Sequence, residues 1–160
     1  MHTVQEQTVV HSTFTLEKHY PVSPEKVFAA FSDPAKRRRW NGEGPGAELL
    51  RFDMDFRIGG LDRSEHRFAA DGPLKGAVLV RQLHYQDIVP NRRIVTVYTW
   101  SIGERPFSSS QSTFELIPTE NGTDLIFTEQ GAFFENSDGP KMREDAWRSL
   151  LDKLGAELAG

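Results

Sequence analysis

Residues 141–158 read KMREDAWRSLLDKLGAEL, and the spacing of their apolar members decides the fold. Met142, Ala146, Trp147, Leu150, Leu151, Leu154 and Leu158 recur at three- and four-residue steps, one apolar face on a helix of about five turns. Asp138-Gly139-Pro140 opens that helix. A face of this kind must be buried against another layer, and nearly everything before it reads as strand.

Working back along the chain, residues 123–132 predict a strand joined through Glu120-Asn121-Gly122, a tight hairpin because Asn and Gly tolerate positive φ. Strands are also predicted over residues 107–117, 92–102, 76–89 and 61–70, separated by Pro90-Asn91 and Asp71-Gly72-Pro73. Gly59-Gly60 precedes them. Leu50, Phe52, Met54, Phe56 and Ile58 alternate with Arg51, Asp53, Asp55 and Arg57, which predicts one long strand with an apolar phase. Residues 41–46 read as a loop. Upstream, Asp33-Pro34 starts a short helix that ends around Trp40. Ser23-Pro24 caps another carrying Val27, Phe28 and Phe31, and residues 8–20 alternate as a first strand. The order is strand, two short helices, six strands, one long helix. Hairpin succession implies an antiparallel sheet, so the expected fold is α+β: a curved antiparallel β-sheet wrapped around the C-terminal helix, as one domain over residues 1–160.

Composition narrows the function. Hydrophobic residues at 38% support a packed interior, and 11 Phe with 3 Trp suit a wide gap between layers or a cavity. A net charge of -4 argues against a general nucleic-acid binder, which needs a basic face. The absence of Cys removes disulfides, thiolate metal sites and cysteine nucleophiles. Residues 1–14 carry no basic segment followed by an apolar stretch, and no apolar run approaches a membrane span of about 18 residues. A cytoplasmic location and no integral membrane association are therefore expected.

Several segments add a resemblance. They are Val22-Ser23-Pro24-Glu25-Lys26-Val27-Phe28, Ser32-Asp33-Pro34 leading to Trp40, and Asp55-Phe56-Arg57-Ile58-Gly59-Gly60. They continue with Ile88-Val89-Pro90-Asn91-Arg92-Arg93-Ile94, Tyr98-Thr99-Trp100, Asn121-Gly122-Thr123-Asp124-Leu125 and the Trp147 helix. Their order over residues 12–158 resembles the START-like, helix-grip (SRPBCC) superfamily, in the branch related to the C-terminal domain of the activator of Hsp90 ATPase. Ala146 stands before Trp147 where that family often has Gly. The co-chaperone's separate N-terminal domain has no counterpart in these 160 residues, so its Hsp90-activating role is not carried over. The resemblance implies a deep cavity between sheet and helix, used across the superfamily for lipids, polyketides, hormones and aromatic metabolites; fold alone does not choose among them.

The candidate pocket residues are Trp40, Phe52, Met54, Phe56, His66, Tyr98, Trp100, Phe127, Glu129, Phe133 and Trp147. Glu129 continues the phase of Leu125 and Phe127. If that face points inward, its carboxylate must be paired or have a raised pKa, and it could orient a ligand or transfer a proton; if the strand frays there, it reaches solvent. His66 and His84 lie on adjacent predicted strands and could meet. Tyr98 and Trp100 share a phase and combine apolar bodies with polar tips. Phe133-Phe134 reads as a lid in the loop before the last helix. Arg63 and Arg81 could neutralise an acidic ligand or Glu129, although surface ion pairs are the commoner role for such residues. Residues 36–39 read as a solvated basic face over Trp40, the alternative being contact with a phosphate, an acidic membrane surface or an acidic partner. Asp53-x-Asp55 lacks the other ligands of a calcium loop, and no metal motif or cofactor fingerprint is present.

Three readings follow. The first is a binding protein for a hydrophobic small molecule. The second is a cyclase, dehydratase or hydrolase type of enzyme using Glu129 with His66 or Tyr98. The third is a chaperone-linked or stress-linked interaction module that contacts a chaperone or another partner through its outer surface. A homodimer is compatible with all three, and no cofactor is called for.

Overall fold

The computed structural model describes residues 8–160. The first seven residues of the one-domain expectation lie outside that range. β1 (Val10–Tyr20) is followed by α1 (Pro24–Ser32) and α2 (Pro34–Arg37), then by β2 (Ala47–Asp53), β3 (Leu61–Phe68), β4 (Val78–Val89), β5 (Arg93–Ile102), β6 (Arg105–Thr119) and β7 (Gly122–Phe133), and finally by α3 (Pro140–Ala159). All seven strands form one antiparallel sheet in the order β1-β7-β6-β5-β4-β3-β2. The only non-sequential neighbours are β1 and β7, so the excursion through α1 and α2 moves the chain to the far edge before the meander begins. The sheet curves, and α3 lies in its concave face.

The capping chemistry is local. Ser23 Oγ accepts from the Lys26 amide at 3.2 Å, with Pro24 in the first turn. Asp33 serves two helices: its amide caps α1 by donating to the Ala29 carbonyl at 2.9 Å, and its Oδ1 accepts from Ala35 and Lys36 at 2.9 and 3.2 Å. α2 does not stop near Trp40 as expected. Residues Arg38–Gly42 widen into a π turn closed by the Glu43 amide on the Arg38 carbonyl, 2.8 Å. Asn41 and Gly42 therefore leave the predicted loop and are buried.

The segment that looked like the cleanest strand is the most altered. Pairing of β2 with β3 skips Leu50, a bulge that turns Leu49 and Phe52 to the same face and exposes Leu50. The strand ends at Asp53. The Asp55 amide then donates to Asp62 Oδ1 at 2.9 Å, and Gly60 to the Arg57 carbonyl at 2.7 Å, so residues 54–58 turn instead of extending. Ile58 is exposed, and Phe56 swings onto Phe28 and Tyr85, with ring centroids 5.6 and 5.0 Å apart.

One half of the gap between sheet and helix is solid aromatic core. Phe31 meets Trp40 and Phe114 at 5.0 and 4.9 Å, Phe114 stacks on Phe127 at 4.7 Å, and Phe127 meets Trp147 at 4.4 Å. Leu151, Leu154 and Leu158 extend the contact along α3, and Tyr20 Oη donates to the Leu151 carbonyl at 2.7 Å. The expected helix stripe differs at its N-terminal end: Met142, at 62%, and Ala146 are exposed, while Arg143 is buried on the stripe.

The β6–β7 hairpin is held tightly against the end of β1. Gly122 has φ 153°, and a Cβ there would lie 2.1 Å from the Tyr20 carbonyl oxygen. Gly46, at φ 83°, has no atom within 4 Å of such a Cβ. Gly46→Ala should cost about 1 kcal/mol from the backbone conformation alone. Gly122→Ala, which adds a clash with main chain, should cost several times more by urea denaturation; equal losses would mean the hairpin can move away from β1.

Candidate functional site

The other half of the gap is hollow. A cavity of about 870 Å3 is bounded by β3–β6, by α3 and by the π turn after α2. Its walls are mainly apolar: Leu79, Leu83, Trp100, Ile102, Phe107 and Leu150 are among them. Met142 and Leu74, both exposed, mark the side facing solvent.

The strand register places three rows of side chains on the concave face. One row runs Ser64, Arg81, Trp100, Ser108, Phe133, and the next Asp62, Leu83, Tyr98, Ser110, Gly131. The third runs Tyr85, Thr96, Ser112, Glu129, Phe14. Ser108, Ser110 and Ser112 are all buried. Small residues at these inward positions leave the volume that α3 fills with Arg143 and Trp147.

Two polar clusters stand in this apolar setting. The first joins α3 to the sheet. Glu129 is 1% exposed, and its Oε1 accepts from the Tyr98 hydroxyl, from Trp147 Nε1 at 3.1 Å and from Ser112 Oγ at 3.2 Å. Tyr98 Oη also accepts from Arg143 Nη1 at 3.2 Å and from Trp147 Nε1 at 3.3 Å, which uses both its lone pairs and its proton. Arg143 is held by Asp138 through Nε at 2.8 Å and Nη2 at 2.9 Å, and by Ser108 Oγ at 2.9 Å. Burial pushes the Glu129 carboxyl up against the opposing pull of these donors and of Arg143, and pushes the Tyr98 phenol well above its ordinary value. Glu129 Oε2 has no partner, so it is the atom that can carry a proton at no loss of accepted bonds.

The second cluster lies on the cavity wall. Arg37 Nε and Arg81 Nη1 both donate to Asn41 Oδ1, at 2.8 and 3.3 Å. Arg37 also donates to the Phe31 carbonyl at 3.4 Å and lies over the Phe31 and Trp40 rings. Arg81 lies 5.9 Å from the Trp100 ring centroid. Burial, reinforced by the Arg37 charge, pulls Arg81 down to about 10, which leaves it charged at neutral pH. His66 Nε2 donates to the Gly42 carbonyl at 3.0 Å; burial holds its pKa below the ordinary value, so the ring is neutral. Asp62, on the adjoining row, accepts from the Tyr85 hydroxyl and the Asp55 amide.

Of the residues singled out from the sequence, His66, Tyr98, Trp100 and Trp147 line the cavity. Glu129 is inward, not frayed, but sits behind Tyr98 and Trp147. Phe127 and Trp40 belong to the solid core, the latter with Nε1 on the Ala30 carbonyl at 2.8 Å. Phe52 packs on Gly42, and Phe56 and half-buried Met54 fall in the turn beyond β2. Phe133 is no lid: it ends β7, is buried, and lies under the Arg143 guanidinium at 5.1 Å. His84 points outward opposite Leu61, so it does not meet His66, which pairs with Leu79. Arg63 pairs with Glu65 at 3.1 Å as expected of a surface residue, whereas Arg81 and Arg37 are buried.

Arg81 takes the inward alternative and not the surface ion pair, and Arg37, Asn41 and Arg143, which the sequence does not single out as inward-facing, are buried with it. Arg81 shares its strand phase with Leu79, Leu83 and Tyr85, and Arg143 lies four residues before Trp147 on the helix stripe, so both signals were in the pattern. No group of His, Cys, Asp and Glu suited to a metal occurs among the described residues, and no helix there is long and apolar enough to cross a membrane.

The raised Glu129 pKa sets a sign. Below the ordinary carboxyl range both states are protonated and nothing is lost; as pH rises above it, the unfolded chain releases a proton that the folded state retains, and stability falls until the folded carboxyl also ionises. Glu129→Gln keeps the acceptor and removes this decline, so its Tm should match the parent near pH 4 and equal or exceed it at pH 8. Glu129→Ala leaves the Tyr98 and Ser112 hydroxyls without their acceptor, Trp147 Nε1 keeping Tyr98 Oη, and should lose about 2–4 kcal/mol. A Gln variant as unstable as the Ala variant at pH 8 would show that the charge itself holds α3.

The chain matches the family model "Activator of Hsp90 ATPase homolog 1-like protein" over residues 21–159. No curated protein matches it. Among solved structures, Mll3558 from Rhizobium loti is 48% identical, with TM-score 0.81 over 94% of this chain and 99% of that one. An uncharacterised protein from Rhizobium leguminosarum is 32% identical, with TM-score 0.85 over 94% and 96%. The AHSA1 protein from Silicibacter pomeroyi is 26% identical, with TM-score 0.71 over 92% and 98%. The strand and helix order, the cavity under α3 and these matches agree: the chain belongs to the AHSA1-like family of the helix-grip superfamily.

Proposed function

We propose that the protein binds an apolar small molecule between the sheet and α3. The observation that carries this reading is the cavity itself. A space of about 870 Å3 falls in the range that takes a ligand of drug or lipid size, and an apolar wall with a few fixed polar groups is the usual composition of such sites. Filling the gap with side chains would have been the simpler way to stabilise the fold, since an empty apolar volume costs packing energy. The aromatic core shows that this chain has the residues to do so in the other half.

The geometry gives less support to proton transfer by Glu129. Its Oε1 is already bonded by the three cavity-lining groups that reach it, the Tyr98 hydroxyl, Ser112 Oγ and Trp147 Nε1, and the Tyr98 hydroxyl has no free hydrogen-bonding capacity. The cluster fits a role in fixing α3 and the cavity roof. Among the described residues, no surface feature favours a chaperone partner over any other.

N-phenyl-1-naphthylamine, an uncharged apolar fluorophore, tests the reading. Saturable binding is expected, with one probe per chain. Ala146→Trp, which projects an indole from α3 into the cavity, should weaken it at least about tenfold while the circular dichroism spectrum is unchanged. Absence of saturable binding, or equal affinity in the variant, would overturn the assignment.

A further inference from the structure

The described residues hold three buried arginines, and the chain treats them differently. Arg143, 5% exposed, has a carboxylate across two of its nitrogens: Asp138. Arg37 and Arg81, 2% and 6% exposed, have none. No carboxylate among the described residues lies within 4.0 Å of either guanidinium. Their one common acceptor, Asn41 Oδ1, is neutral. Asp62 is turned to Tyr85 and the Asp55 amide, so it supplies a field but not a contact.

A buried charge without a counter-ion costs several kcal/mol, and two like charges on one acceptor cost more. The hydrogen bonds are also incomplete there. Arg81 Nε, the hydroxyls of Ser64 and Thr96, and the acceptor His66 Nδ1 have no partner; Ser64 lies directly across from Arg81 in the register, and His66 and Thr96 lie on the cavity wall. Arg81 donates to Asn41 alone among the described residues. Arg81 and Thr96 line the cavity, whose walls elsewhere include the apolar Leu79, Leu83, Ile102, Phe107, Met142 and Leu150.

We propose that Arg81, with Arg37 and Asn41, forms a carboxylate-binding site at the inner wall of the cavity, and that the ligand is a monocarboxylic acid with an apolar body. This rests on the cavity reading above and specifies its substrate class. A planar guanidinium fork matches a planar carboxylate, and the anion would supply the charge that Asp138 supplies to Arg143. The Trp100 ring, beside Arg81, would flank the first carbons of the body.

The experiment displaces N-phenyl-1-naphthylamine with matched probes of one chain length: dodecanoic acid, 1-dodecanol and dodecyl phosphate, at pH 7.5. The native protein should bind the acid at least about tenfold tighter than the alcohol. Arg81→Met should bring that ratio close to one through loss of acid affinity, with the alcohol within about twofold of native. Asn41→Asp is the second variant. It places an anion between the two guanidiniums at nearly constant volume, so it should raise the Tm by several degrees and abolish the preference for acid. Equal binding of acid and alcohol to the native protein, or a preference that survives Arg81→Met, would overturn the carboxylate site and leave the apolar cavity standing. Tighter binding of dodecyl phosphate than of the acid would overturn the carboxylate in favour of a phosphomonoester. Failure of the fluorophore and of every chain to bind would remove the cavity reading, and this one with it.

Discussion

The seating of Trp147 on the sheet is the interaction on which the rest of the molecule depends. Its ring closes on Phe127 and Phe114 from above, and its Nε1 reaches Glu129 beside the Tyr98 hydroxyl. The indole therefore satisfies both halves of its chemistry at one point, the apolar body in the aromatic core and the polar edge in a buried network. On one side of it the gap is packed with Phe31, Trp40, Phe114 and Phe127. On the other it is open. A helix pinned in the middle of its apolar face can roof a cavity without collapsing into it.

The polar groups divide along the same line. Around Glu129, Tyr98, Ser112 and Arg143 nearly every donor finds an acceptor, and Asp138 balances the arginine. Around Arg81, Arg37 and Asn41 the donors outnumber the acceptors, and no carboxylate among the described residues contacts either guanidinium, Asp62 acting only at a distance. In a low-dielectric interior the first arrangement is a fastening, and the second is the observation on which the proposed carboxylate site rests. The most eye-catching residue in the sequence, Glu129, thus belongs to the fastening. The residues that face the cavity's unmet electrostatics were those that a charge-based reading assigns to the surface.

Periodicity explains what was legible. The three-and-four spacing of residues 141–158 and the alternation through β5, β6 and β7 identify the elements, and their order with the short turns identifies the meander. Alternation misled where the backbone departed from it. A bulge at Leu50 and a turn after Asp53 removed Phe56 and Ile58 from the face to which their phase assigned them, because one skipped residue reverses every side chain beyond it. The π turn buried Asn41, which composition had placed in a loop. Arginine is the harder residue to place from pattern: the strand phase of Arg81 points inward against the surface ion pair its charge favours, and Arg143 sits on the helix stripe without breaking its spacing.

By itself, the sequence determined the kind and order of the elements, the antiparallel sheet, the helix that closes it and the family signature, because capping, turn chemistry and apolar period act over a few residues at a time. Whether the gap beneath the helix is filled, and where its charges sit, was decided only by the tertiary structure. Those outcomes depend on which rows the strand register sets side by side, on the serines of β6 that leave room, and on whether a given buried arginine meets a carboxylate. Arg143 meets Asp138 five residues away; Arg81 faces Asn41, forty residues earlier, and finds no charge there.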